Sequence, residues 1–183
     1  MKLETERLRL RELTILDAKE IASYTNNPDF CKYIPPIKLP YMIKDAKDYL
    51  KVIIKNNKQK NRKNFVLGIG IKSIRIIIGI IEITYDDFNN TAQLDYSLNP
   101  KYHRQGIMFE ASVAMIDFAF NNLKVRKITA PILSENIASI TLIKKLGFTL
   151  EGVLKKQTKV RSSGKIYDEN LYGLLKEEWK RKR

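Results

Sequence analysis

Residues 99–120 read NPKYHRQGIMFEASVAMIDFAF. A long apolar-periodic run follows directly on a turn that carries Lys101, His103, Arg104 and Gln105 and ends in Gly106. The spacing predicts a helix from about Gly106, with Ile107, Ala111, Ala114, Met115 and Phe118 on its buried face. Glu110, Ser112 and Asp117 fall on the other face. The first turn of any helix leaves backbone N–H groups unpaired and carries the positive end of the macrodipole. A basic, glycine-containing turn in front of such a helix suits an anion. Alone it is a weak signal, and its meaning depends on what surrounds it.

The surroundings read as α/β. Residues 6–13 (ERLRLREL) alternate apolar and charged side chains, the period of a half-buried strand. Asp17 is placed to cap a helix that runs to about Thr25, and Phe30 and Tyr33 suit a short helical turn. Pro35, Pro36 and Pro40 break the chain into an extended loop. Helical spacing resumes over 43–54, burying Ala46, Tyr49 or Leu50, Ile53 and Ile54. Three strands rich in Ile, Val, Phe and Tyr are expected at 65–71, 76–85 and 92–98, joined by turns at 72–75 and 86–90. Residues 127–133 form a further strand, and 136–146 a helix stopped by Gly147. Two long strands, 148–157 and 165–175, flank the turn RSSG. No repeat or linker interrupts this order, so one domain over 1–183 is expected.

Other classes are less well supported. The formal net charge of +14 invites a nucleic-acid reading, but the basic residues are spread from Lys2 to Arg183. Their denser runs, at 55–63, 155–165 and 176–183, read as solvated faces. No apolar run approaches the roughly 20 residues of a membrane span. The start, MKLETERLRL, has no signal-peptide core, so a cytoplasmic location is expected. Cys31 is alone, which leaves a buried inert thiol as its expected state, and no metal site is expected.

Two further fragments sharpen the reading. SENIASITLIKKLGF (134–148) sets Asn136 and Ser139 at a helix start and Gly147 at its end. The chain opens with TERLRLREL and closes with Tyr167, Asp168, Glu169 and the run 171–175. In this order, with Gly79 in the third strand, the chain resembles the GNAT superfamily of acyl-CoA-dependent N-acetyltransferases, in its RimJ/RimL-like branch. The resemblance implies a mixed, mostly antiparallel twisted sheet of about seven strands, helices on both faces, and fourth and fifth strands that splay apart. It implies acetyl-CoA as cofactor, its pyrophosphate held by the backbone of His103, Arg104, Gln105, Gly106, Ile107 and Met108. His103 and Met108 depart from the family pattern at its first and last positions. The edge formed by Tyr96, Ser97 and Leu98 would pair with pantetheine amides, and Asn136 would hydrogen-bond the same arm. Asn136 equally suits a helix cap. The resemblance also implies that Ser139 would protonate the departing thiolate; many relatives place a tyrosine in this helix for that task, but Ile143 stands at that position here.

The implied reaction is attack of a free amine on the thioester. An α-amine, with a reference pKa near 7.7–8.0, is easier to deprotonate than lysine by about 2.5 units, or about 3.5 kcal/mol. The candidate bases are Asp95 and Glu82 on adjacent strands; side-chain alternation does not settle the face of either. Gln93 stands where relatives often carry glutamate. A backbone N–H near Leu98 would stabilise the oxyanion. The acceptor expected first is a protein N-terminal amine, as on a ribosomal protein. A polyamine, aminoglycoside or other small amine is the second reading, and a non-catalytic acyl-CoA-sensing or RNA-associated module the third. The loops 30–41 and 158–164 would shape the acceptor site, and the long final hairpin could pair two subunits as a homodimer.

Overall fold

The computed structural model describes residues 1–74 and 76–181. Arg75, which closes the expected turn at 72–75, and Lys182 and Arg183, which end the last basic run, lie outside the described residues. The strands are β1 (Lys2–Glu4), β2 (Leu8–Glu12), β3 (Asn64–Ile71), β4 (Ile77–Asp86), β5 (Thr91–Leu98), β6 (Lys127–Leu133), β7 (Thr149–Lys159) and β8 (Ile166–Leu175). The helices are α1 (Ala18–Thr25), α2 (Pro28–Cys31), α3 (Ile43–Asn57), α4 (Ile107–Asn121), α5 (Ile137–Leu146) and α6 (Lys176–Arg181). All eight strands join one sheet in the order β1-β2-β3-β4-β5-β6-β8-β7. Only the β5–β6 pairing is parallel; the other neighbours are antiparallel.

The expected count of about seven strands becomes eight. The addition is β1, three residues that pair with Arg9–Arg11 of β2 and are too short to show a period. Helix α6 was likewise not anticipated, because six residues carry too little periodicity to separate from a charged tail. Ser112 is a correction of face. Expected on the solvent side of α4, it is fully buried, and its hydroxyl lacks a partner among the described residues. The helix is apolar nearly all round, so its exposed stripe is too narrow to include it.

Two apolar layers cover the sheet. Leu8, Leu10, Ile81, Ile83, Leu94 and Ile128 meet α4 and α5 on one face. Leu13, Val66 and Ile77 meet α1, α2 and α3 on the other. A β-bulge decides which side chains of β4 belong to which face. Ile69 pairs with Gly79 and Gly70 with Ile77, so Ile78 is the extra residue. Ile77 and Ile80 consequently share the α3 side, whereas Ile78 and Ile81 share the α4 side. Cys31 is buried, its Sγ 2.8 Å from the Thr25 carbonyl, and burial raises its pKa, as expected of an inert thiol. No helix among the described residues is long and apolar enough to cross a membrane.

Candidate active site

The gap that organises the site arises where β5 and β6 stop pairing. Thr91, Ala92 and Gln93 face Lys127, Ile128 and Thr129, and no further pair follows among the described residues, although β5 runs to Leu98 and β6 to Leu133. β5 keeps its full pairing with β4 on the other side, to Gly79–Leu98. The edge from Leu94 to Leu98 is thus open towards β6 and carries free backbone groups. Tyr96, Ser97 and Leu98 lie on it. Gly79 permits the close approach of β5: a Cβ built there would stand 2.6 Å from the Ser97 carbonyl oxygen.

At the end of that edge lies the basic turn. Pro100–Tyr102 make a single 3-10 turn whose start is capped by the Asn99 side chain. Arg104 (φ 60) and Gly106 (φ 75) are both left-handed, and Gly106 is the N-cap of α4. Three side chains hold this conformation. His103 Nε2 lies 3.0 Å from the Leu98 carbonyl, Gln105 Nε2 donates to the Lys101 carbonyl at 3.2 Å, and Arg7 donates to the Gln105 carbonyl at 3.1 Å. Among the described residues, the amides of Arg104, Gln105 and Gly106 find no acceptor in the protein. Those of Ile107, Met108 and Phe109 are unpaired by helix geometry. This is an anion cradle built of main chain, with the helix dipole behind it. His103, expected to offer its backbone to phosphate, is instead a tether of the turn: its amide donates to the Pro100 carbonyl at 3.1 Å and its ring is occupied by a carbonyl. Met108 is 8% exposed and packs into the core beneath α4, so its side chain turns away from the cradle.

The helix α5 faces the open edge. Asn136 is its N-cap, its Oδ1 accepting from the Ser139 amide at 3.2 Å. The cap uses the oxygen only; the Asn136 Nδ2 group has no acceptor among the described residues. The Ser139 hydroxyl is half-buried and interacts with the Tyr96 phenol. Ile143 is fully buried in the core, so no polar group stands there. Tyr96 was anticipated for its backbone alone, but its hydroxyl donates to the Ser139 carbonyl at 3.4 Å, linking β5 to α5. Burial, chiefly, raises its pKa to about 12; the Ser139 side chain opposes this and Asp95 adds slightly to it. It stays protonated at neutral pH.

Beyond the gap, on the α3 side of the sheet, Glu82 and Asp95 are direct cross-strand partners. Directly opposed residues share a face, so the unbroken β4–β5 hairpin register, running from Asp86–Thr91 to Gly79–Leu98, brings the two carboxylates together. Both are half-buried, and neither forms an ion pair among the described residues. Burial raises the pKa of each. Asp95 adds to the effect on Glu82, and Glu169 to that on Asp95, while Gln93 opposes it by donating to Asp95 Oδ2 at 2.8 Å. Glu169, noticed in the sequence only as part of the closing strand, accepts from the Thr158 hydroxyl at 2.6 Å.

A cavity of about 590 Å³ opens on this same side. Ile21, Tyr24, Phe30, Leu39 and Tyr41 line it, and it reaches Ile80 and Ser97 at the gap. Both loops expected to shape the acceptor site contribute. They dock on each other: the Arg161 amide donates to the Pro35 carbonyl at 3.1 Å and the Ser162 hydroxyl to the Cys31 carbonyl at 3.3 Å. Its charged lining residues are Lys38, Arg161 and Asp45, and Asp45 is engaged by the Met42 amide.

The sequence matches the acetyltransferase (GNAT) domain over residues 7–149. It is 30% identical over 180 residues to the uncharacterized N-acetyltransferase YnaD of Bacillus subtilis (strain 168), covering 98% of this chain and 99% of that one. It is 26% identical over 187 residues to the [ribosomal protein uS5]-alanine N-acetyltransferase of Escherichia coli (strain K12), covering 98% and 93%. Among solved structures, the microcin C7 self-immunity acetyltransferase MccE, in complex with acetyl-CoA and AMP, superposes with a TM-score of 0.81 at 25% identity over 93% of each chain. The open strand edge, the main-chain anion cradle at its end and the polar helix start opposite fit an acyl-CoA thioester. With these relatives, the protein belongs to the GNAT family and is an acetyl-CoA-dependent N-acetyltransferase.

Proposed function

We propose that the chain acts as one domain over 1–183, in the cytoplasm, and transfers acetyl to the α-amine of a protein N-terminus. The observation that carries the acceptor class is the makeup of the cavity beside the gap. Its walls are aliphatic and aromatic, and its two cations, Lys38 and Arg161, outnumber its one carboxylate, Asp45. A polyamine or aminoglycoside would meet repulsion there. A peptide end offers one amine and an apolar stem, which suits these walls. The similarity to an enzyme named for alanine acetylation of ribosomal protein uS5 points the same way.

The site residues then take the following roles. Acetyl-CoA supplies an activated acetyl thioester. The amides of residues 104–108 hold its phosphates, the β5 edge from Tyr96 to Leu98 pairs with its amide arm, and Asn136 Nδ2 donates to the same arm. Asp95, with Glu82 beside it, takes the proton of the acceptor amine. Its burial raises its pKa towards that of an α-amine, which makes it a better base than an exposed carboxylate. The Leu98 amide faces the charge that builds on the acyl oxygen. Ser139 returns a proton to the sulfur, with the Tyr96 phenol held beside it. Gln93 fits catalysis rather than a sensor role, because it orients Asp95. The outer edge of β7, where Leu150, Val153 and Leu154 are exposed, is the surface a homodimer would use.

Mass spectrometry of cell extract incubated with enzyme and acetyl-CoA, joined to thiol release with N-terminal peptides, polyamines and aminoglycosides, tests this reading. Acetylation at protein α-amines is expected. Turnover confined to polyamines or aminoglycosides would overturn it.

A further inference from the structure

Thr5 and Arg7 stand ahead of β2, yet they close on the anion cradle 98 or more residues away. The Glu110 carboxylate, in the first turn of α4, is their anchor. It accepts from the Thr5 hydroxyl, from the Arg7 amide at 2.9 Å and from Arg7 Nε at 2.7 Å. Burial by itself would raise the Glu110 pKa, but these donors and the Arg7 charge hold it below the usual range, so it is ionised at neutral pH. Another nitrogen of the same guanidinium donates to the Gln105 carbonyl at 3.1 Å. The last stands 3.4 Å from the position a Cβ on Gly106 would take.

Two consequences follow from chemistry alone. The Gln105 carbonyl and the Gly106 N–H belong to one planar trans peptide and point in opposite directions. Fixing the carbonyl towards Arg7 therefore aims the Gly106 N–H away from it, into the cradle. Second, a bare carboxylate at a helix start favours the helix but repels a phosphate bound to the same turn. Arg7 removes that repulsion by pairing with it.

We propose that Arg7 is a positioning residue for cofactor phosphate: it orients the Gln105–Gly106 peptide and neutralises Glu110, so that the turn accepts an anion. This rests on the reading that the cofactor's phosphates bind at residues 104–108. Arg7 has a half-exposed side chain, so its replacement leaves the core intact.

The test compares two ligands, coenzyme A by calorimetry and S-acetylpantetheine, which has no phosphate, by ligand-observed NMR. Wild-type protein is expected to bind coenzyme A at least about tenfold more tightly, as charge-assisted phosphate contacts require. Equal affinities would overturn the phosphate reading itself, and the proposal with it. Arg7→Met should weaken coenzyme A about tenfold and leave S-acetylpantetheine within about twofold. In the Arg7→Met background, adding Glu110→Gln should recover about threefold for coenzyme A, the size of a charge effect at a helix end. Equal losses on both ligands, or none on coenzyme A, would overturn the positioning role. A double variant no better than Arg7→Met would overturn the neutralisation.

Discussion

Gly79→Ala perturbs the site at one point whose geometry is known. The added methyl would sit 2.6 Å from the Ser97 carbonyl oxygen, 2.9 Å from Leu98 Cδ1 and 3.2 Å from Leu98 Cα. The leucine methyl can rotate away; the carbonyl and Cα belong to the paired β4–β5 ladder and cannot. Real contacts of this kind do not fall below 3.0 Å, so β5 must retreat by at least 0.4 Å, the difference between 3.0 and 2.6 Å. That movement lies in the edge assigned to the cofactor arm. Overpacking costs about 1–3 kcal/mol, and each kcal/mol lowers Tm by about 2–4 °C in a domain of this size. A fall of roughly 2–12 °C follows. A 1 Å misplacement costs about a hundredfold in rate, so a shift of this size should cost on the order of tenfold in kcat. Thermal unfolding, coenzyme A affinity and thiol release on an N-terminal peptide measure the three effects. Wild-type Tm and wild-type turnover in the variant would refute the argument that this close strand approach sets the thioester geometry.

Asp95→Asn tests the buried base through both stability and rate. The folded-state pKa of Asp95 is raised, so folding penalises its ionised form: the penalty is absent below the ordinary aspartate pKa and complete once pH passes the raised value. The variant should therefore melt higher than wild type at pH 7.5, lose that advantage near pH 3–4, and turn over slowly; a gain confined to acid would refute the assignment. Asn136→Asp keeps the cap oxygen but removes the Nδ2 donor, so Tm should hold while coenzyme A binding weakens about fivefold. Unchanged affinity would leave Asn136 a cap only. Ser139→Ala should lower kcat by about a hundredfold with little change in affinity, and an unaffected rate would dismiss it as the proton donor.

Periodicity and punctuation are local properties, and they placed most elements to within a residue or two. Gly147 ends α5 in the left-handed conformation anticipated from its type, and Gly106 starts α4. The cradle was legible for the same reason: an anion site made of consecutive amides depends on neighbours in the chain. What depends on distant pairing was not legible. The β4 bulge at Ile78 shifts the phase of side-chain alternation, so no count along the sequence could put Ile77 and Ile80 on one face and Ile78 and Ile81 on the other. The link from Arg7 to Glu110 spans 103 residues. The cavity exists because the 158–164 turn docks on the Cys31–Pro35 backbone, residues that meet only once the sheet is assembled. The sequence alone determined the elements and the turn of free amides, since short-range sterics and unpaired helix amides set both. Tertiary structure alone decided what buries the paired carboxylates, what steadies the turn and what shape the acceptor meets, because each requires segments far apart in the chain to meet.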